Sequence, residues 1–122
     1  MQGREWRKAP LRLKPMTKVH ITKKNGMFFL DVEGHAGYSE EGEDILCASL
    51  SMLTYTFAQI VQNYEREMID KSTIILEKGN AHIFCYPKKD VRKEIKAALD
   101  TVTVGFKLLE FNFPDYVSLQ ID

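Results

Sequence analysis

Two side chains in this sequence, His35 and Cys47, are of the types that combine for nucleophilic catalysis. A cysteine thiolate is a strong nucleophile, and an imidazole within reach can take its proton and later return it to a leaving group. Between them runs a segment with glycines at Gly37 and Gly42 and acids at Glu40, Glu41, Glu43 and Asp44. Such a composition suits a loop covering a site better than it suits a core element. Asp is a preferred helix N-cap, so Asp44 is expected to open a helix at Ile45 and to place Cys47 in its first turn. The first-turn N–H groups have no intrahelical partner and carry partial positive charge, which favours a thiolate and offers oxyanion donors, as does the backbone around Gly37 and Gly42. Ordinary packing accounts for the same residues, because cysteine is among the most often buried side chains. Spacing alone does not choose between these readings.

The elements that must position the pair follow from periodicity. Residues 19–22 alternate apolar and polar and read as a strand, Asn25-Gly26 is a hairpin turn signal, and residues 27–32 return as a second strand that delivers Gly34 and His35 at its end. The helix from Ile45 is expected to run to about Glu67. Its core stripe contains Leu46, Leu50, Leu53, Phe57, Ile60, Val61 and Tyr64. Cys47, Ser51, Thr54 and Ala58 form a narrower stripe about 100° away, beside the core face. Ser51, one turn below Cys47, could equally support the site or bond a carbonyl of its own helix. Residues 72–77 and 81–86 read as a second hairpin around Lys78-Gly79-Asn80. Asp90 is expected to cap a second long helix, stopped by Pro114, and residues 116–121 to form a last strand. The order β-β-α-β-β-α-β predicts an α+β fold, two helices packed on an antiparallel or mixed sheet.

The 122 residues fit one domain. Formal net charge is zero, but residues 1–18 carry six Lys or Arg against Glu5, so the remainder is about as acidic as that segment is basic. Residues 1–17, with Pro10 and Pro15, are expected to be a disordered basic extension ahead of a domain over 18–122, with Met16 a plausible start. The acidic remainder is a poor nucleic-acid binder and could attract a basic protein. With no signal-peptide pattern and no run expected to span a membrane, Cys47 and Cys85 point to a reducing, cytoplasmic setting. His82 and Cys85 form a His-x-x-Cys motif, but an odd separation puts them on opposite faces of a strand, so no metal site is expected and no cofactor is implied. His20 is expected on the solvated face of its strand.

Residues 34–51 resemble the signature of the bacterial ribosomal-processing cysteine protease family, Prp. The matching residues are Gly34-His35-Ala36, Gly42, Asp44-Ile45-Leu46-Cys47-Ala48 and Ser51, with Leu46 and Leu50 where Val is more usual. Phe113-Pro114-Asp115-Tyr116-Val117 is similar to the family's Tyr-Pro-x-Tyr-aliphatic ending. The likeness extends from about residue 18 to the C-terminus. It implies a cysteine endopeptidase with Cys47 as nucleophile and His35 as base, and Gly34, Gly37, Gly42, Asp44 and Ser51 in support. It also implies a dimer, and a substrate that is the precursor of a basic large-subunit ribosomal protein carrying an N-terminal extension. Cleavage after apolar and aromatic residues would need an apolar groove, for which Tyr38 and Leu46 are candidates. A prophage capsid protein as substrate, or a non-catalytic assembly module of the same fold, are the alternatives.

Overall fold

The computed structural model describes residues 16–34 and 40–122. Strands β1 (Thr17–Lys24) and β2 (Met27–Glu33) are followed by helix α1 (Glu40–Asn63), strands β3 (Thr73–Glu77) and β4 (Asn80–Cys85), helix α2 (Arg92–Asn112) and strand β5 (Val117–Ile121). The strands form one sheet in the order β3-β4-β2-β1-β5, mixed because β5 runs parallel to β1 while the other neighbours are antiparallel. The β1–β2 turn is Asn25-Gly26 with φ of 52° and 80°, the left-handed pair that a two-residue hairpin with native twist requires.

Alternation decides which face each strand buries. Val19 and Ile21 of β1, Phe28 and Leu30 of β2, and Ile83 and Cys85 of β4 all point at the helix layer and are at most 3 % exposed. Phe57 and Val61 of α1 and Ile95, Leu99 and Phe106 of α2 meet them and are fully buried. Burying a side chain of this size contributes about 1.5–3 kcal/mol, so this shared layer dominates the stability. Gly105 lets the helices approach: a Cβ there would stand 2.5 Å from Leu53 Cδ2. An ion pair from Lys23 Nζ to Asp100 Oδ1, 2.6 Å, ties β1 to α2.

Among the described residues no helix lies on the opposite sheet face. There His82 Nδ1 pairs with the Asp31 carboxylate, His20 Nε2 lies 2.6 Å from Asp122 Oδ2, and the Phe29 and Phe84 rings stack at 5.1 Å. His20 is thus partnered as well as half-exposed. His82 and Cys85 face opposite sides of β4, as their odd separation requires.

Three expectations are corrected. The first helix begins at Glu40 rather than Ile45, so Asp44 lies inside α1 and does not cap it. Gly42 therefore stands inside the helix, where a glycine costs ~1 kcal/mol relative to alanine. That helix ends at Asn63, with a separate 3-10 turn at Glu65–Glu67. Asp90 does not cap the second helix either: it sits in a 3-10 turn, Lys89–Val91, and Val91 is the capping residue without a side-chain bond. Residues Ile45–Asn63 are, by length and composition, apolar enough to cross a membrane. In this fold the same apolar residues, Leu46, Leu50, Phe57 and Val61, supply the wall of the core.

Candidate active site

A cleft of about 460 Å³ opens between α1 and the β3–β4 hairpin. From α1, Cys47, Ser51, Thr54 and Tyr55 line one wall; residues 76–81 line the other; Thr17, Val32 and Gly34 close the end where β1 begins and β2 stops. Three residues of the stripe read beside the core face, Cys47, Ser51 and Thr54, therefore line the cleft, while the fourth, Ala58, is buried in the core. Cys47 is half-buried with its thiol free, and Ser51 lies one turn on. Thr54 donates to the Leu50 carbonyl at 2.7 Å, whereas Ser51 makes no such bond among the described residues. Its hydroxyl has no partner among the described residues and lies on the cleft wall.

Gly34 holds the closed end together. Its N–H donates to the Gly79 carbonyl at 2.9 Å, across to the hairpin turn, and its carbonyl accepts a long bond of 3.4 Å from Thr17 Oγ1. Its φ is +95°, and a Cβ would stand 2.6 Å from the Met16 carbonyl oxygen. Only glycine fits that conformation and that approach. The chain leaves this pinned point, at the cleft's end, directly into His35.

His35, Gly37 and Tyr38 lie outside the described residues. Gly42 and Asp44 are residues of α1. Cys47 is two turns inside that helix rather than in its first turn, because the helix starts at Glu40; the N–H groups around it are spent on intrahelical bonds, so they are not oxyanion donors and the helix end is not what activates it. Leu46 is fully buried in the core and does not line the cleft. What the sequence reading did not place at the site is the second wall: Leu76, Glu77 and Lys78, and the Gly79 turn. Their hairpin was legible, but its docking beside α1 is a tertiary fact that depends on long-range strand pairing.

The second cysteine contrasts with the first. Cys85 is wholly buried beneath the helices, and burial, with a smaller contribution from the Glu65 carboxylate, pushes its thiol up to about 12. It is an apolar core side chain, inert at neutral pH.

Comparison with known proteins gives a family and a fold. A family model described as cysteine protease Prp matches residues 16–118. Among curated protein sequences none matches. Of solved structures, the S. aureus ribosomal processing protease Prp in complex with a covalently linked product peptide superposes with a TM-score of 0.66 at 21 % identity, covering 88 % of this chain and 100 % of that one. The same protease with a substrate peptide gives 0.64 at 20 %, covering 88 % and 100 %. SMU.848 from Streptococcus mutans gives 0.65 at 20 %, covering 87 % and 93 %. At these identities the structures establish a shared fold.

Proposed function

The chain belongs to the cysteine protease Prp family, and from that premise we propose that it is a cysteine endopeptidase that removes an N-terminal extension from a basic large-subunit ribosomal protein, using Cys47 and His35. One observation carries the reading: Cys47 stands on the wall of a cleft whose end is Gly34, the residue immediately before His35. A strand end locked by two hydrogen bonds and a glycine-only backbone is the support a positioned base needs.

In the proposed reaction Cys47 Sγ passes its proton to His35 and attacks the scissile carbonyl carbon. The tetrahedral adduct collapses, the C–N bond breaks, and the amine leaves with the proton held by His35. A water molecule, deprotonated by His35, then attacks the thioester carbon; the carboxylate leaves and the thiol is restored. Ser51, uncommitted and one turn from Cys47, is positioned to donate to the substrate or to orient a water in the cleft. The solved relative with a substrate peptide supports a peptide as occupant. The acids at Glu40, Glu41, Glu43 and Asp44, at the start of the helix that bears Cys47, favour a basic substrate. A cytoplasmic homodimer is part of the same proposal.

The test is the intact mass of a ribosomal protein precursor bearing its N-terminal extension, after incubation with this protein or with Cys47→Ala. A single truncation with the native protein and none with the variant is expected. Truncation by both, or by neither, overturns the reading.

A further inference from the structure

We propose that the open edge of β3 receives the substrate's main chain as an added strand, leading it past Cys47. The inference rests on the peptidase reading and names how that site holds its substrate.

The sheet has two edges, and among the described residues only the β5 edge has a side chain bonded to its strand's outward backbone. At β5 the Leu119 N–H is taken by the Glu110 carboxylate at 2.9 Å, a side chain of α2 that satisfies the outward-facing backbone. At β3, Glu65 does the same for Ser72 N–H at 3.1 Å, but that residue precedes the strand. From Thr73 to Glu77 no other group among the described residues covers the edge. Proteins ordinarily protect an exposed edge with charge, proline or a bulge, because its unpaired N–H and C=O groups invite another strand. Here the interior of the strand is Ile74-Ile75-Leu76, with neither charge nor proline, and Ile75 and Leu76 are 38 % and 41 % exposed. An unguarded apolar edge of this kind is a place for strand addition.

Its register and position select the occupant. The β3–β4 turn has two residues, so Glu77 and Asn80 form a hydrogen-bonded pair; alternation then turns the N–H and C=O groups of Ile74 and Leu76 outward. Leu76 and Glu77 line the same cleft as Cys47. The turn that follows is bonded to Gly34, next to His35. A chain paired with Ile74 and Leu76 therefore continues without a break into the space in front of Cys47. Its side chains alternate between the α1 wall, at Ser51 and Tyr55, and the side of Ile75 and Phe84 on the uncovered sheet face. The substrate class is an extended segment with apolar or aromatic side chains at alternate positions. Proline is excluded wherever an amide must reach β3.

The test uses the full chain and a peptide spanning the extension junction of a ribosomal protein precursor, with one backbone amide N-methylated at a time. On one side of the scissile bond, kcat/KM is expected to fall about ten-fold at every second position and to change little between them. On the enzyme, Leu76→Pro removes one outward N–H and leaves the ladder to β4 intact, a place where an edge strand tolerates proline. It is expected to lower kcat/KM about five-fold through KM, with circular dichroism unchanged; should the variant not fold, the N-methyl series still decides. Losses without alternation, or none, while the peptide is still cut, overturn strand addition and leave the peptidase reading standing. Leu76→Pro that instead halves the mass in light scattering without changing kcat/KM assigns the edge to a second copy and also overturns it. No cleavage of any peptide, with a Cys47 thiol whose alkylation by iodoacetamide ignores His35→Ala, overturns both.

Discussion

Gly34→Ala tests whether the cleft's closed end is built as described. Two effects act together. The residue has φ +95°, a region where a side chain costs about 1–3 kcal/mol. The new methyl would also stand 2.6 Å from the Met16 carbonyl oxygen, too close for any ordinary contact, and that oxygen belongs to backbone already held by the Thr17 N–H to Tyr116 carbonyl bond at 2.9 Å. Relief requires β1 and β2 to part or the Gly34–Gly79 bond to break, adding about 1 kcal/mol. A total near 3 kcal/mol corresponds to a fall of roughly 10–20 °C in Tm for a domain of this size. Gly26→Ala is the internal control: its φ is also positive, +80°, but the neighbour at 3.2 Å is the tip of the Arg92 side chain, which can swing away. It is expected to cost about 1 kcal/mol, the backbone part alone. Thermal unfolding by circular dichroism measures both, and cleavage assayed at a temperature where both variants are folded separates stability from site geometry. Gly34→Ala should lose at least ten-fold more kcat/KM than Gly26→Ala, since it displaces the residue preceding His35. If the two variants melt within about 2 °C of each other, the account of Gly34 is wrong.

Other substitutions separate core, cleft and surface. Iodoacetamide at pH 8 should add to the native protein once, at Cys47, because burial holds the Cys85 thiol protonated up to about 12; intact mass after reaction checks this, and Cys47→Ala should take up none. The same raised thiol predicts alkaline destabilisation. Below its ordinary value of 9.0 both states hold the proton, but between 9.0 and about 12 unfolding releases it, so stability falls as pH rises; Cys85→Ala should flatten that slope in urea titrations. Hydrogen bonds from Lys23, then Lys96, hold the Asp100 carboxyl below its ordinary 3.8, so its contribution is present above that value and is lost as pH falls further below it. The pair is partly exposed, so Asp100→Asn should cost only about 0.5 kcal/mol at neutral pH, vanishing in acid. Phe57→Ala removes a wholly buried ring between the helices and sheet and should cost about 3–5 kcal/mol in urea unfolding.

Local patterns in the sequence carried the sheet and helices but not the second wall of the site. Alternation placed Phe28 and Leu30 opposite Phe29 and Asp31, and Asn25-Gly26 marked its turn, because period and turn chemistry are written in adjacent residues. The helix stripes were legible for the same reason. Helix starts were not. Gly42 and four acids read as a loop because glycine's backbone entropy lowers local helix propensity, yet the helix extends through them. Asp90 looked like a cap because nothing local distinguishes a 3-10 lead-in from a helix start. Leu46 and Cys47, adjacent in sequence, differ in fate by 100° of helix rotation: one is core and the other faces the cleft. The wall at residues 76–81 depends on β3 lying at the sheet's edge beyond β4, a long-range pairing. Its one sequence trace was an apolar run, Ile74-Ile75-Leu76, with no residue to guard it.

The helix start changes the account of how Cys47 is activated. A helix terminus acts within its first turn, and with α1 beginning at Glu40 the cysteine is already a turn beyond that reach. Glu40, Glu41, Glu43 and Asp44 precede it in sequence, and residues 36–46 contain no Lys or Arg that could pair with a thiolate. In the proposed reaction, activation is assigned to the His35 imidazole and to whatever positive charge a substrate brings. On this argument His35→Ala should slow iodoacetamide alkylation of Cys47 at pH 7 by at least about ten-fold, the range of a lost general base. Neutralising the four acids together to Gln and Asn should instead speed alkylation of the free protein while weakening its capture of a basic precursor, an effect that 0.5 M salt should largely erase by screening. An alkylation rate indifferent to both changes would mean that Cys47 is not an activated nucleophile, and the cleft would have to be read as a binding groove.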